Sequence, residues 1–135
     1  MEPLKLEITP IRAASDPPLR SKAYQEELHA LAETIEAEGF TVGVRLELIE
    51  AAGGNSQDMA TYLGLIVQLA HSPAAGAIAT AIAGWLGARY GRKIRLKVTP
   101  DSVEVEAQTE RQVRRLLEQA REIQQRREAK VIREP

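Results

Sequence analysis

Cysteine is absent from the 135 residues, and that single absence removes thiol nucleophiles, disulfides and thiolate metal sites together. Histidine is scarce as well: His29 and His71 stand far apart, with no His-x-x-His spacing to suggest a metal. His29 lies one residue off an apolar helical stripe and reads as exposed, while His71 falls at a helix break where it can hydrogen-bond a terminus. Neither a phosphate-cradling loop nor a nucleophile elbow occurs, and Gly53-Gly54-Asn55-Ser56 reads as a flexible turn. No sign of charge dominates, because the formal net charge is −1, so nucleic acid is not favoured as a partner. The opening Met1-Glu2-Pro3-Leu4-Lys5 has neither the basic nor the apolar region of a secretory signal, which predicts a cytoplasmic chain. Together these absences predict no catalytic, cofactor or metal site, and a protein that acts through contacts.

What is present suffices for one folded unit. An apolar fraction of 44% beside a charged fraction of 27% is ordinary for a soluble domain, and a chain of this length can bury a single core. The pattern predicts one domain over 1–125 and a charged, flexible tail over 126–135.

Leu4, Leu6 and Ile8 alternate with Lys5, Glu7 and Thr9, the period of a strand with one buried face, and Pro10 is expected to limit it. Ile11 to Arg20 reads as a loop around Asp16-Pro17-Pro18. Ser21 can cap a helix whose apolar stripe is Tyr24, Leu28, Leu31 and Ile35, with Gly39 as its stop. A second alternating strand follows from Phe40 to Glu50. The long apolar stretch from Met59 to Ala88 reads as two helices or one broken helix, because Ser72-Pro73 supplies a cap and a first-turn proline for a helix from Pro73 to about Tyr90. Lys93 to Thr99 is a third strand, turned by Pro100-Asp101 into a fourth with Val103, Val105 and Ala107 inward. Matching apolar faces sets Val98 opposite Val103, Lys97 opposite Glu104 and Arg95 opposite Glu106. Thr109-Glu110-Arg111-Gln112 is a capping box opening a last helix with the stripe Val113, Leu116, Leu117, Ala120 and Ile123. The order predicts an α+β two-layer sandwich: a four-stranded mixed sheet with helices on one face.

Three features carry the functional expectations. The 59–88 stretch exceeds the roughly 20 apolar residues that span a bilayer, but Gln68, His71, Ser72 and Pro73 interrupt it and Ala and Gly fill much of it, so a core helix is favoured over a membrane-active segment. Within it, Gly76, Thr80 and Gly84 fall four apart beside the bulkier Ile78, Ile82 and Trp85. Small residues at that spacing allow helices to approach closely, inside the fold or across a partner or homo-oligomer contact, where Trp85 is the natural anchor. Arg89, Arg92, Lys93, Arg95 and Lys97 form a basic run that a nucleic acid could contact. Glu104 and Glu106 across the hairpin should neutralise part of it, which favours a solvated strand face. These features predict an adaptor or oligomerisation module using the helix from Pro73 to Ala88 and the exposed sheet face.

The chain also resembles a family. A small-residue helix ending Gly84-Trp85-Leu86-Gly87-Ala88-Arg89, a basic strand, then Pro100-Asp101-Ser102-Val103-Glu104-Val105-Glu106-Ala107 resembles the effector-associated constant component family of bacterial conflict systems, and Leu4 to Pro10 and the early helix fit too. Ser102 stands where glycine is the easier turn residue. The resemblance implies a non-enzymatic accessory of bacterial defence, encoded beside or fused to a variable effector that acts while this component stays constant. It implies no catalytic residues.

Overall fold

The computed structural model describes residues 4–49, 59–69, 75–100 and 102–133, with side chains over 4–45, 63–69, 76–100 and 102–127. Its elements run β1 (Lys5–Ile11), α1 (Lys22–Ala37), β2 (Val42–Ile49), β3 (Met59–Gln68), α2 (Ala75–Ala88), β4 (Lys93–Thr99), β5 (Val103–Ala107) and α3 (Glu110–Arg133). The strands form one sheet in the order β2-β3-β1-β4-β5, and every neighbouring pair is antiparallel. The α+β architecture with helices on one face is as the sequence predicts, with five antiparallel strands in place of a mixed four. Elements β1 to β4 interleave two split β-α-β units in the ferredoxin-like manner, which β5 and α3 extend.

The extra strand is the main correction. Met59–Gln68, expected as helix, is β3, held between β2 and β1 with Leu6 opposite Val67 and Ile8 opposite Leu65. Tyr62 to Val67 form a nearly unbroken apolar run, and periodicity cannot tell such a run from a buried helix. The split of the 59–88 stretch into a strand and the helix Ala75–Ala88 removes the basis of the membrane alternative. Among the described residues no helix is long and apolar enough to cross a membrane. Ser72, Pro73, His71 and the Gly53-Gly54-Asn55-Ser56 turn lie outside the described residues.

Pro10 does not end β1, which continues to Ile11 by pairing Pro10 with Ile94. The Leu4 carbonyl accepts from the Leu69 N–H, so alternate residues through Pro10 turn their backbone polar groups toward β3. The β1–β3 pairing stops at Ile8 and Leu65, and proline therefore lacks a donor only where the ladder has ended. Gly64 sits in β3 at the point of closest approach: a Cβ there would lie 2.6 Å from the Ile8 carbonyl oxygen and 2.9 Å from the Arg45 guanidinium. Arg45 spans β3 at this point and donates to the Thr9 hydroxyl at 2.7 Å.

One face of the sheet, through Leu6, Ile8, Leu65, Val67, Ile94, Leu96 and Val98, makes the core with the inward stripes of the helices. Ser21 caps α1, accepting from the Tyr24 N–H at 3.3 Å, and Tyr24, Leu28, Leu31 and Ile35 are buried. Gly39 and Gly91 take φ of +96° and +92° past the ends of α1 and α2, the left-handed conformation that stops a helix. The capping box is formed: Thr109 Oγ1 accepts from the Gln112 N–H at 3.3 Å and Gln112 Oε1 from the Thr109 N–H at 3.2 Å. Helix α3 then runs past Arg126 to Arg133.

The β4–β5 register is the expected one, pairing Val98 with Val103, Lys97 with Glu104 and Arg95 with Glu106. Ser102 has φ of +57°, in the region where glycine is easier. The ion pairs, however, form on the diagonals, Arg95 with Glu104 at 3.4 Å and Lys93 with Glu106 at 3.6 Å, because long side chains reach diagonal neighbours on a twisted sheet.

Candidate docking groove

The residues expected to share one contact surface are divided by the fold. Ile78 and Ile82 are fully buried and Trp85 is 6% exposed, so these three belong to the core and Trp85 does not stand out as an anchor. Gly76, Thr80 and Gly84 face outward on the same helix. Gly76 turns toward α3, where an added Cβ would meet the Arg114 guanidinium at 3.3 Å, and Thr80 accepts from Arg114 at 3.4 Å. Gly84 faces open space, with nothing within 4 Å of a Cβ built there.

That open space is a groove of about 620 Å³ between α1 and α2. Its walls are two matched stripes: Glu27, Ala30, Leu31, Thr34 and Glu38 from the first helix, and Ala77, Thr80, Ala81, Gly84 and Ala88 from the second. Both follow the spacing of one helix face. Trp85 and Arg92 also contribute to its lining. Helices pack with axes 8 to 10 Å apart when side chains fill the gap; Ala, Gly and Thr on these walls leave it unfilled.

One end of the groove is braced by charge. Asp16, whose side chain is wholly buried, takes Arg92 Nη2 at 2.7 Å and Arg89 Nε at 3.2 Å. Its carboxylate also accepts the Ala13 N–H at 2.8 Å. Arg92, itself 1% exposed at the side chain, donates from Nη1 to the Trp85 carbonyl at 2.8 Å and from Nη2 to Glu27. Its guanidinium lies 4.5 Å from the centroid of the Trp85 ring, a cation–π contact. Burial pushes the Asp16 carboxyl up, but bonds from Arg92 and Ala13 and the charges of Arg92 and Arg89 outweigh it and hold the group below its ordinary range. Burial likewise pulls Arg92 down, and its bonds to Asp16 and Glu27 more than reverse that. Two arginines thus face two carboxylates in a cluster tying the 12–20 loop, α1 and the approach to β4 behind Trp85.

The basic run is accordingly not a basic surface. Arg89 and Arg92 turn inward to Asp16, Lys93 and Arg95 pair with glutamates of β5, and Lys97 stands between Glu7 and Glu104 in the sheet register. Sequence reading treated Asp16 as loop punctuation and did not single out Glu27. An ion pair between residues 76 apart has no local signal. His29 is exposed, as expected, and pairs with Glu33 at 2.8 Å. Among the described residues no group of three or more His, Asp or Glu could hold a metal.

Comparison with curated proteins and with solved structures finds no match to this chain. A family model does match, over residues 20–124, and that span takes in both walls of the groove and Arg92. The helix of small residues and the β4–β5 hairpin that carry the sequence resemblance both lie within it, and the chain belongs to the Effector Associated Constant Component 1 family.

Proposed function

We propose that the chain is a non-enzymatic adaptor of a bacterial conflict system that holds its effector in the groove between α1 and α2. The observation that carries this reading is the placement of Ala77, Thr80, Gly84 and Ala88 toward an open groove, with Ala81 between that groove and the core. Small residues packed inside a fold let elements approach; on a solvent-facing wall they leave room for something else. The family's description, an effector-associated constant component, supports an effector as that occupant.

The test is calorimetric titration of the chain with the effector encoded beside it, comparing wild type with Gly84→Leu and Gly87→Leu. Both glycines have nothing within 4 Å of a built Cβ, each change replaces a poor helix former by a good one, and far-ultraviolet circular dichroism checks that both variants fold. Only Gly84 lines the groove. Gly84→Leu should weaken binding by about tenfold or more, a loss of about 1.4 kcal/mol, with Gly87→Leu unchanged. An effector that binds neither wild type nor variant removes the adaptor reading; one that binds all three alike moves the contact off this groove.

A further inference from the structure

Resting on that adaptor reading, we propose that the occupant of the groove is an amphipathic helix of the effector, about three turns long, with a small apolar face and a lysine or arginine on the flank that meets Glu38 at the end of α1. The length follows from the walls. Glu27 to Glu38 spans about 16 Å at 1.5 Å per residue, and Ala77 to Ala88 spans the same distance opposite. The apolar face follows from the lining, which presents alanine, glycine and two threonines over Leu31 and Trp85. A helix seated there can approach closely and add a third helix between the two that form the walls.

The basic flank follows from charge. Helix α2 carries no charged residue from Ala75 to Ala88. The other wall lines the groove with two carboxylates, Glu27 and the C-cap Glu38. Among the described residues the one cation lining the groove, Arg92, is engaged by Asp16 and Glu27. Glu27 is held by Arg92, which leaves the exposed Glu38 as the carboxylate open to an occupant. An occupant bearing glutamate on that flank meets like charge, and one bearing lysine meets its complement. A small ligand fits less well, because the arginine donors at the end of the groove are already bonded and the two walls are continuous, featureless stripes.

The test uses two stapled helical peptides of about four turns, identical in an alanine and leucine face, one with lysines and one with glutamates on the flank; the staple removes the cost of forming a short helix. Binding is read by calorimetry and by the emission of Trp85, the only tryptophan in the chain. The lysine peptide should bind and shift that emission, and the glutamate peptide should bind at least about threefold more weakly, as expected for charges on a rim. Gly84→Leu should abolish the signal, and Glu38→Lys should narrow the difference between the peptides. Equal binding of both peptides, or of neither, overturns the proposal. So does a concentration-dependent dimer in light scattering that Gly84→Leu returns to monomer, because the occupant is then a second copy. The adaptor reading fails separately: an effector that needs Gly84 but ignores Glu38→Lys retains the groove and discards the basic helix, whereas an effector that does not bind at all discards both.

Discussion

Replacing Arg92 by methionine tests whether the charged cluster holds the end of the groove. Methionine keeps an unbranched, flexible stem and removes the guanidinium. With it go the bonds to Asp16, to the Trp85 carbonyl and to Glu27. Breaking a buried pair by removing one partner costs about 3 to 5 kcal/mol, because an uncompensated charge remains. Two features here place the cost near the lower end. Arg89 still reaches Asp16 at 3.2 Å, and the Glu27 side chain, 39% exposed, can return to water. A loss of about 3 kcal/mol from a domain of this size lowers Tm by about 10 to 15 °C. The assay is urea and thermal unfolding followed by far-ultraviolet circular dichroism, since the Trp85 signal changes directly when the cation above its ring is removed. Adding Asp16→Asn should recover part of the loss, because the stranded charge disappears while an acceptor for the Ala13 N–H remains, and the pair should couple by about 1 to 3 kcal/mol. A stability within about 1 kcal/mol of wild type for Arg92→Met, or strictly additive costs, would refute the reasoning.

Other measurements probe the same structure. The Asp16 carboxyl is held below its ordinary value of 3.8 in the folded state, so its contribution is complete above that pH and drains away as pH falls below it; Asp16→Asn should flatten the loss of unfolding free energy on the acid side of about pH 4, and an unchanged acid profile would contradict the pairing. Tyr24 is fully buried with no hydrogen-bond partner for its hydroxyl among the described residues, and burial first, then the charge of Asp16, pushes its pKa up to about 12. Stability is therefore intact below pH 10 and lost as pH rises toward 12, by about 2 to 3 kcal/mol at 1.4 kcal/mol per pH unit. Tyr24→Phe should be neutral or slightly stabilising at pH 7 and should remove that alkaline loss in a titrated urea series; an identical profile would remove the argument. Gly64→Ala places a methyl 2.6 Å from a backbone oxygen, so β1 and β3 must separate. Overpacking of this kind costs about 1 to 3 kcal/mol, and an alanine variant as stable as wild type by urea midpoint would show that the strands adjust freely.

Much of this fold was legible because its signals are local. Alternation in β1, β4 and β5, the stripes of α1 and α3, the Ser21 cap and the Thr109 capping box each depend on residues within a turn or two of one another, and all of them stand in the structure. Even the β4–β5 register was readable, since only one pairing keeps both apolar faces inward. What tertiary structure alone decided involves residues distant in the chain. Met59–Gln68 is a strand because β1 and β2 stand on either side of it, and its own apolar run is compatible with either conformation. Gly64 is required by a carbonyl on one neighbouring strand and a guanidinium from the other. The small residues of α2 were visible in sequence, but which of them face the core and which face the groove depends on where α1 and α3 dock. Arg92, read from sequence as one of a basic run, is buried because the chain returns to place it against Asp16 and Glu27. Hydrophobic periodicity records how each segment meets a core; it carries no record of which distant charge or which open space that segment will meet.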